Sequence, residues 1–442
     1  MALLLALALG GTAQAQNPGK ITVETYQLDN GLTVILSEDH SAQVVAVDVW
    51  YHVGSRDERP GRSGFAHLFE HMMFQGSSHV KKGEHFQLIE RAGGQMNGTT
   101  QTDRTNYFQA LPSNRLNLAL WLEADRMRSL AVTDSNFHNQ RETVKEERRL
   151  RVDNVPYIRA FMDELPALFD SATCLPYARS VIGSMDDLNA ARTEDVKAFF
   201  DLYYTPNNAT LTVTGDFEPA EAKRLIRAYF GAIPRGQDAP AVTCTQRFNP
   251  GEMRKRVHDD KATIPAVAHA YRVPAYDDAD TPALDLLATI LGQGESSRLN
   301  RKLARDARAA LNVQTILNPF GPRRGPGVFV ALGIVNQGVA PDSLDRLLAA
   351  EIASLAQGGV SAEELTKAQN SYRANRITER QRALSVAEAL QGAAFFLGNP
   401  EAVNTDIDRY MKVTPEDIKR VAAKYLVPAN ALILYVSSEA AS

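Results

Sequence analysis

One segment of this chain is written twice. Thr193-Glu194-Asp195-Val196-Lys197, followed by Tyr203, Pro206 and Asn208, recurs as Thr414 to Lys419, followed by Tyr425, Pro428 and Asn430. From Asp195/Asp417 to Asn208/Asn430 the offset is a constant 222 residues. In both copies an amphipathic helical pattern runs into a Pro-Asn turn and then an alternating apolar strand, Ala209 to Thr214 and Ala431 to Val436. Solenoid units repeat every ~20–50 residues, so a single repeat of this length excludes them and points to two copies of one domain. Looser echoes agree: strand patterns at Val45 to Gly54 and Ala266 to Val273, and helix N-caps at Thr133 and Ser361. The halves meet at Ile233 to Gln246, which holds Pro234, Gly236 and Pro240 and lacks helical period. We expect an α+β fold of two homologous domains, each an antiparallel sheet packed with helices. The expected boundaries are 16–232 for the first, 233–247 for a linker and 248–442 for the second.

With 442 residues, 44% hydrophobic and 23% charged, the chain has the composition of a folded globular protein. Its net charge of -4, with acids and bases interspersed, argues against a nucleic-acid surface. Ala2 to Leu9 is apolar but too short to span a bilayer, and Ala13-Gln14-Ala15 has the small-x-small form of a cleavage site. Residues 1–15 are therefore expected to be an export signal, no later segment to cross a membrane, and the protein to be periplasmic or secreted. Cys174 and Cys244 are the two cysteines. An oxidising compartment permits them to pair, but the sequence leaves this open, and their spacing is not that of a cysteine zinc site.

His67-Leu68-Phe69-Glu70-His71 lies in a stretch, Phe65 to Phe74, with apolar residues at helical spacing. Histidines four apart project from one helix face one turn apart and can take two corners of a tetrahedral zinc site. Glu70, on the same side, can reach a metal-bound water and act as general base without ligating the metal. The string is the H-x-x-E-H inverse of the zincin pattern. A third ligand is needed, and it should be acidic and on another element. The charged segment Phe137 to Arg149, capped by Thr133/Asp134, offers Glu142, Glu146 and Glu147. Most of its charges form a solvated face laced with ion pairs, and pattern alone does not choose among the three acids.

At these residues the sequence resembles the M16 metallopeptidases: pitrilysin, insulysin and, closest in size, the mitochondrial processing peptidase-like group with its bacterial members. Gly64 to Gly76 looks like that family's zinc helix and turn. Gly93-Gly94-Gln95-Met96-Asn97-Gly98-Thr99-Thr100 is similar to its G-G-x-x-N-A-x-T strand, and Tyr204-Thr205-Pro206-Asn207-Asn208 to its Y-x-P-N-N turn. The resemblance covers nearly the whole chain after the N-terminal signal. It implies Glu147 as the third zinc ligand, Glu70 as base, and Asn97 as a substrate contact on a strand that pairs with extended peptides. Where family members carry an accessory glutamate this chain has Gln140, and the sequence leaves open whether Gln140 or Glu142 takes that role.

In the family the second half supplies an Arg/Tyr pair near the scissile bond. Ser297 to Asp306 matches the helix bearing that arginine and implies Arg305, but Arg308-Ala309-Ala310-Leu311 stands where a Gly-Leu-Ala-Tyr string is expected. The counterpart of the zinc helix, Ala283 to Gly292, has no histidine and one acid, Asp285. The expected protein is thus a zinc endopeptidase acting on short or unfolded peptides. A second M16-like subunit is expected to supply the missing pair in a heterodimer, with a homodimer as the other arrangement. Two rival readings are a non-catalytic M16-like binding or assembly subunit and a zinc hydrolase of non-peptide substrates.

Overall fold

Strands form where the alternating runs lie, and they form the same arrangement twice. The computed structural model describes residues 20–244 and 251–438. β1 (Glu24–Gln27), β2 (Thr33–Glu38), β3 (Val44–Tyr51), β4 (Gln95–Thr100), β5 (Thr105–Pro112) and β6 (Ala209–Gly215) make a sheet of order β1-β2-β6-β3-β5-β4. β7 (Met253–His258), β8 (Ala266–Val273), β9 (Ala310–Leu317), β10 (Gly327–Val335) and β11 (Ala431–Ser437) make a second, of order β7-β11-β8-β10-β9. Leaving out β1, the two orders superpose strand for strand. Each sheet is antiparallel except for one parallel pair, β2–β6 and β7–β11. Tyr51 faces Ala209 in the first, and Tyr271 faces Ala431 in the second. The repeated Pro-Asn turn has a physical cause. Asn208 Nδ2 donates to the carbonyl of Tyr203, and Asn430 Nδ2 to that of Tyr425, both at 2.8 Å. Each asparagine satisfies a carbonyl that the end of its helix leaves without a partner.

One face of the first sheet is covered by its own helices, among them α1 (Phe65–Met72), α2 (Glu84–Arg91), α3 (Leu116–Ser129) and α4 (Asp134–Arg148). Leu68, Phe69, Leu120 and Phe137 pack there against Val47 and Tyr107. Thr133 and Ser361 cap as expected, accepting from the backbone N–H of Asn136 and Glu364.

The other faces are closed by exchange. After α5 (Ile158–Glu164), Leu165, Leu168 and Phe169 pack on Ala268, Ala270 and Leu434 of the second sheet. In return the helix Ala383–Leu397 lies on the first sheet. Leu390 packs there on Ile35, Phe395 and Phe396 edge onto Trp50, and Gln391 Nε2 donates to the carbonyls of Asp48 and Thr210. Each large apolar side chain buried this way contributes about 1.5–3 kcal/mol, so the two sheets stabilise each other. Cys174 and Cys244 are joined in a disulfide that ties the exchanged segment to residues 234–244, which carry no helix or strand. The expected export signal, residues 1–15, lies outside the described residues, as do 245–247 of the expected linker. No helix of the described residues is long and apolar enough to cross a membrane.

Candidate metal centre

α1 begins where only glycine fits. Gly64 has φ +86°, and a Cβ there would meet the carbonyl oxygen of Ile182 at 2.7 Å. Glycine brings no side-chain cap, and a distant carboxylate supplies one. Glu58 accepts from the backbone N–H of Gly64 at 3.1 Å and of Ala66 at 2.9 Å, so a carboxyl group closes the N-terminal end of the helix, and burial pushes it up to about 8. Arg179 holds Glu58 in turn, donating to its carbonyl at 2.7 Å. Glu58 was not picked out from the sequence, because caps are sought immediately before a helix and this one reaches in from six residues upstream.

The helix buries Phe65, Ala66, Leu68, Phe69 and Met72, which turns His67, Glu70 and His71 the other way. The two imidazole centroids stand 4.9 Å apart. Glu147, in the last turn of α4, places Oε2 3.0 Å from His71 Nε2 and 3.6 Å from His67 Nε2. With zinc–ligand bonds of about 2.05 Å, the edge of a coordination tetrahedron is about 3.3 Å, which these two distances bracket. Among the described residues, this is the one cluster of three or more such groups able to hold a metal, its ligand atoms lying within 4.8 Å of one another. The protonation states suit a cation as well. Burial, with the neighbouring His71, pulls His67 down to about 4 and keeps its ring neutral. The His71 contact, helped by His67 and Arg151, holds the Glu147 carboxyl down at about 2 and so ionised. The helix then widens into a π-turn, Arg149–Asp153, whose Arg151 guanidinium lies 2.9 Å from the other Glu147 oxygen. Such turns are frequent at functional sites.

Glu70 is not part of that cluster. Its Oε2 accepts a 2.6 Å hydrogen bond from Thr100 Oγ1 at the end of β4, and burial pushes its carboxyl up from the ordinary range. β4 can lie this close because Gly98 has no side chain. A Cβ there would stand 3.2 Å from Glu70 Cγ and 3.0 Å from the Tyr107 ring. Thr100 ends the Gly93 to Thr100 string, but its contact with Glu70 is not legible there, since the strand's spacing does not say which side chain crosses to α1.

The other named residues divide. Asn97 is exposed on β4, an edge strand of its sheet, and accepts from the N–H of Gly98 at 2.9 Å. Gln140 is buried and donates to Asn139; Glu142 is exposed and pairs with Lys145 and Arg141; Glu146 pairs with Arg149. None of these three joins the cluster. Arg305 lies on a π-helical turn of the second half, Asn300–Asp306, 3.3 Å from Glu295, and Leu311 is exposed on β9. The helix Thr281–Gly292 is largely buried, and its Asp285 accepts from Tyr410 Oη at 3.1 Å.

Comparison with known proteins agrees with this architecture. Residues 33–162 match the profile described as insulinase (peptidase family M16), and residues 191–372 match the M16 inactive domain. The zinc protease PqqE of Helicobacter pylori is 31% identical over 98% of this chain and 96% of its own length. An uncharacterised zinc protease of Mycobacterium leprae is 28% identical over 90% and 88%. Among solved structures, a Helicobacter pylori protease superposes with a TM-score of 0.89 at 28% identity, covering 95% of this chain and all of that one. The periplasmic protease PqqL of Escherichia coli gives 0.77 at 20% identity, over 94% of this chain and 48% of that one, a likeness of fold alone.

Proposed function

Because the chain belongs to the M16 peptidase family, we propose that it is a zinc-dependent endopeptidase of short or unfolded peptides, with His67, His71 and Glu147 as ligands and Glu70 as general base. The observation that carries this reading is one Glu147 oxygen set against both histidine Nε2 atoms while Glu70, on the same helix, stays outside the cluster. Zinc bound there supplies a Lewis acid for the scissile carbonyl and lowers the pKa of the attacking water. Glu70, oriented by Thr100, takes a proton from that water and delivers it to the leaving amine. The outer edge of β4 offers backbone groups to an extended peptide by strand addition, beside Asn97.

Arg305 is the substrate-binding arginine in this reading, and the tyrosine that would accompany it is absent at Leu311. A second M16-like subunit then completes the pair, placing a hydrogen-bond donor beside the developing oxyanion; the same interface between two copies of this chain is the homodimeric form. The N-terminal pattern, the disulfide and the periplasmic source of the Escherichia coli relative support export.

Chelation should abolish hydrolysis of an internally quenched peptide, and stoichiometric zinc should restore it. A purified chain without zinc, or with chelator-resistant activity, sinks the peptidase reading. Full activity from the chain as a monomer on gel filtration removes only the partner. Gly98→Ala probes the positioning of the base. Its methyl group crowds Glu70, and kcat should fall by up to about 10²-fold with zinc content unchanged.

A further inference from the structure

Arg323 is 6% exposed, yet its Nε and Nη1 atoms are buried with no hydrogen-bond partner. Asp103, the acid facing it, is already engaged. One of its oxygens accepts from Arg56 and from Tyr177 Oη, and the other accepts from the backbone N–H of Arg324. The guanidinium is held instead by rings, with Phe169 at 5.4 Å and Tyr177 at 5.9 Å. It faces a cavity of about 20 Å³ that Ser180 and Arg179 also line, against the apolar side chains of Met162, Leu165 and Val328. Ser180 Oγ is buried and has no partner either. Two side chains from distant parts of the chain thus present unanswered donors to one cavity.

The size and the charge together select the occupant. A single water needs roughly 10–15 Å³ measured this way, so the cavity holds one particle of that scale and no polyatomic oxyanion. A water accepts two hydrogen bonds and must place two hydrogens of its own, for which the guanidinium and the apolar walls offer no acceptor. Arg179 and Arg323 both line the cavity, and Asp103, the carboxylate facing Arg323, is taken up by Arg56, so among the described residues the Arg323 guanidinium has no ion pair of its own. We propose that this cavity is a binding site for one monatomic monovalent anion, chloride in ordinary solution, held by Arg323 Nε and Nη1 and by Ser180 Oγ. The ion sits between the exchanged segment that follows α5 and the second sheet. Its neighbour Arg179 holds Glu58, the cap of α1, so the site ties the seam between the halves to the zinc helix.

The test uses the full chain in chloride, bromide or gluconate at fixed ionic strength. A halide that binds the folded state alone raises Tm by a constant increment per tenfold concentration above its Kd. The expected result is such a rise with chloride and bromide but not gluconate, together with an anomalous bromide peak within hydrogen-bond distance of Arg323 and Ser180. Arg323→Gln should remove both and Ser180→Ala should weaken both; if the first variant does not fold, the second and the bromide peak decide. Ordered water without bromide in the cavity overturns the proposal. So does a halide effect that persists unchanged in the variants, which would mean an adventitious ion only.

Discussion

Glu70→Gln is expected to keep its zinc and to hydrolyse peptide about 10²–10⁴-fold more slowly than the wild type, the span over which a positioned general base acts. The substitution keeps the shape of the side chain, and the amide oxygen can still accept from Thr100 Oγ1. It removes only the capacity to take a proton. Since the side chain lies outside the three-residue cluster, metal content should stay at wild-type stoichiometry. KM should move little, because the substrate edge at β4 is untouched. Metal analysis and steady-state kinetics on a quenched peptide check both halves of the expectation. Zinc lost along with activity would make Glu70 a ligand, and activity retained would place the base elsewhere.

The features legible in the sequence were those written at short, regular spacing. The i, i+4 histidines predicted two imidazoles on one face of α1, and the structure sets their rings 4.9 Å apart. The repeated Pro-Asn turn predicted a duplicated fold because its asparagine answers the same helix-end carbonyl in both halves. What was hidden is what depends on contacts through space. The apolar faces of α5 and of Ala383–Leu397 announce burial, but amphipathicity does not name the surface that receives them, and both cross to the other half's sheet. Glu58 and the contact of Thr100 with Glu70 are hidden for the same reason: each acts on α1 from an element that only folding brings near. The unpaired Arg323 is equally silent in the sequence, where one arginine looks like any other.

The choice among the acids of α4 shows where pattern ends and geometry begins, and it carries the second large prediction. Successive helical residues point about 100° apart, so Glu146 and Glu147 cannot both face α1, and Glu142 lies about 140° around the axis from Glu147. The structure turns Glu147 to the histidines and leaves the other two exposed, paired with Lys145, Arg141 and Arg149. Glu147→Ala leaves two imidazoles and no charged ligand. Losing a partner that merely orients a ligand typically costs 10–100-fold in metal affinity, so losing the ligand itself should exceed about 10²-fold. The expected outcome is a folded chain that releases zinc on dialysis, has no peptidase activity, and recovers a part of it in excess zinc. Glu142→Ala and Glu146→Ala are the controls. Each breaks exposed ion pairs worth about 0.2–1 kcal/mol and should leave zinc content and kcat unchanged. Zinc held as tightly by Glu147→Ala as by the wild type would transfer the third ligand to another acid. The whole geometry proposed for the centre, including the role of Glu70, would fall with it.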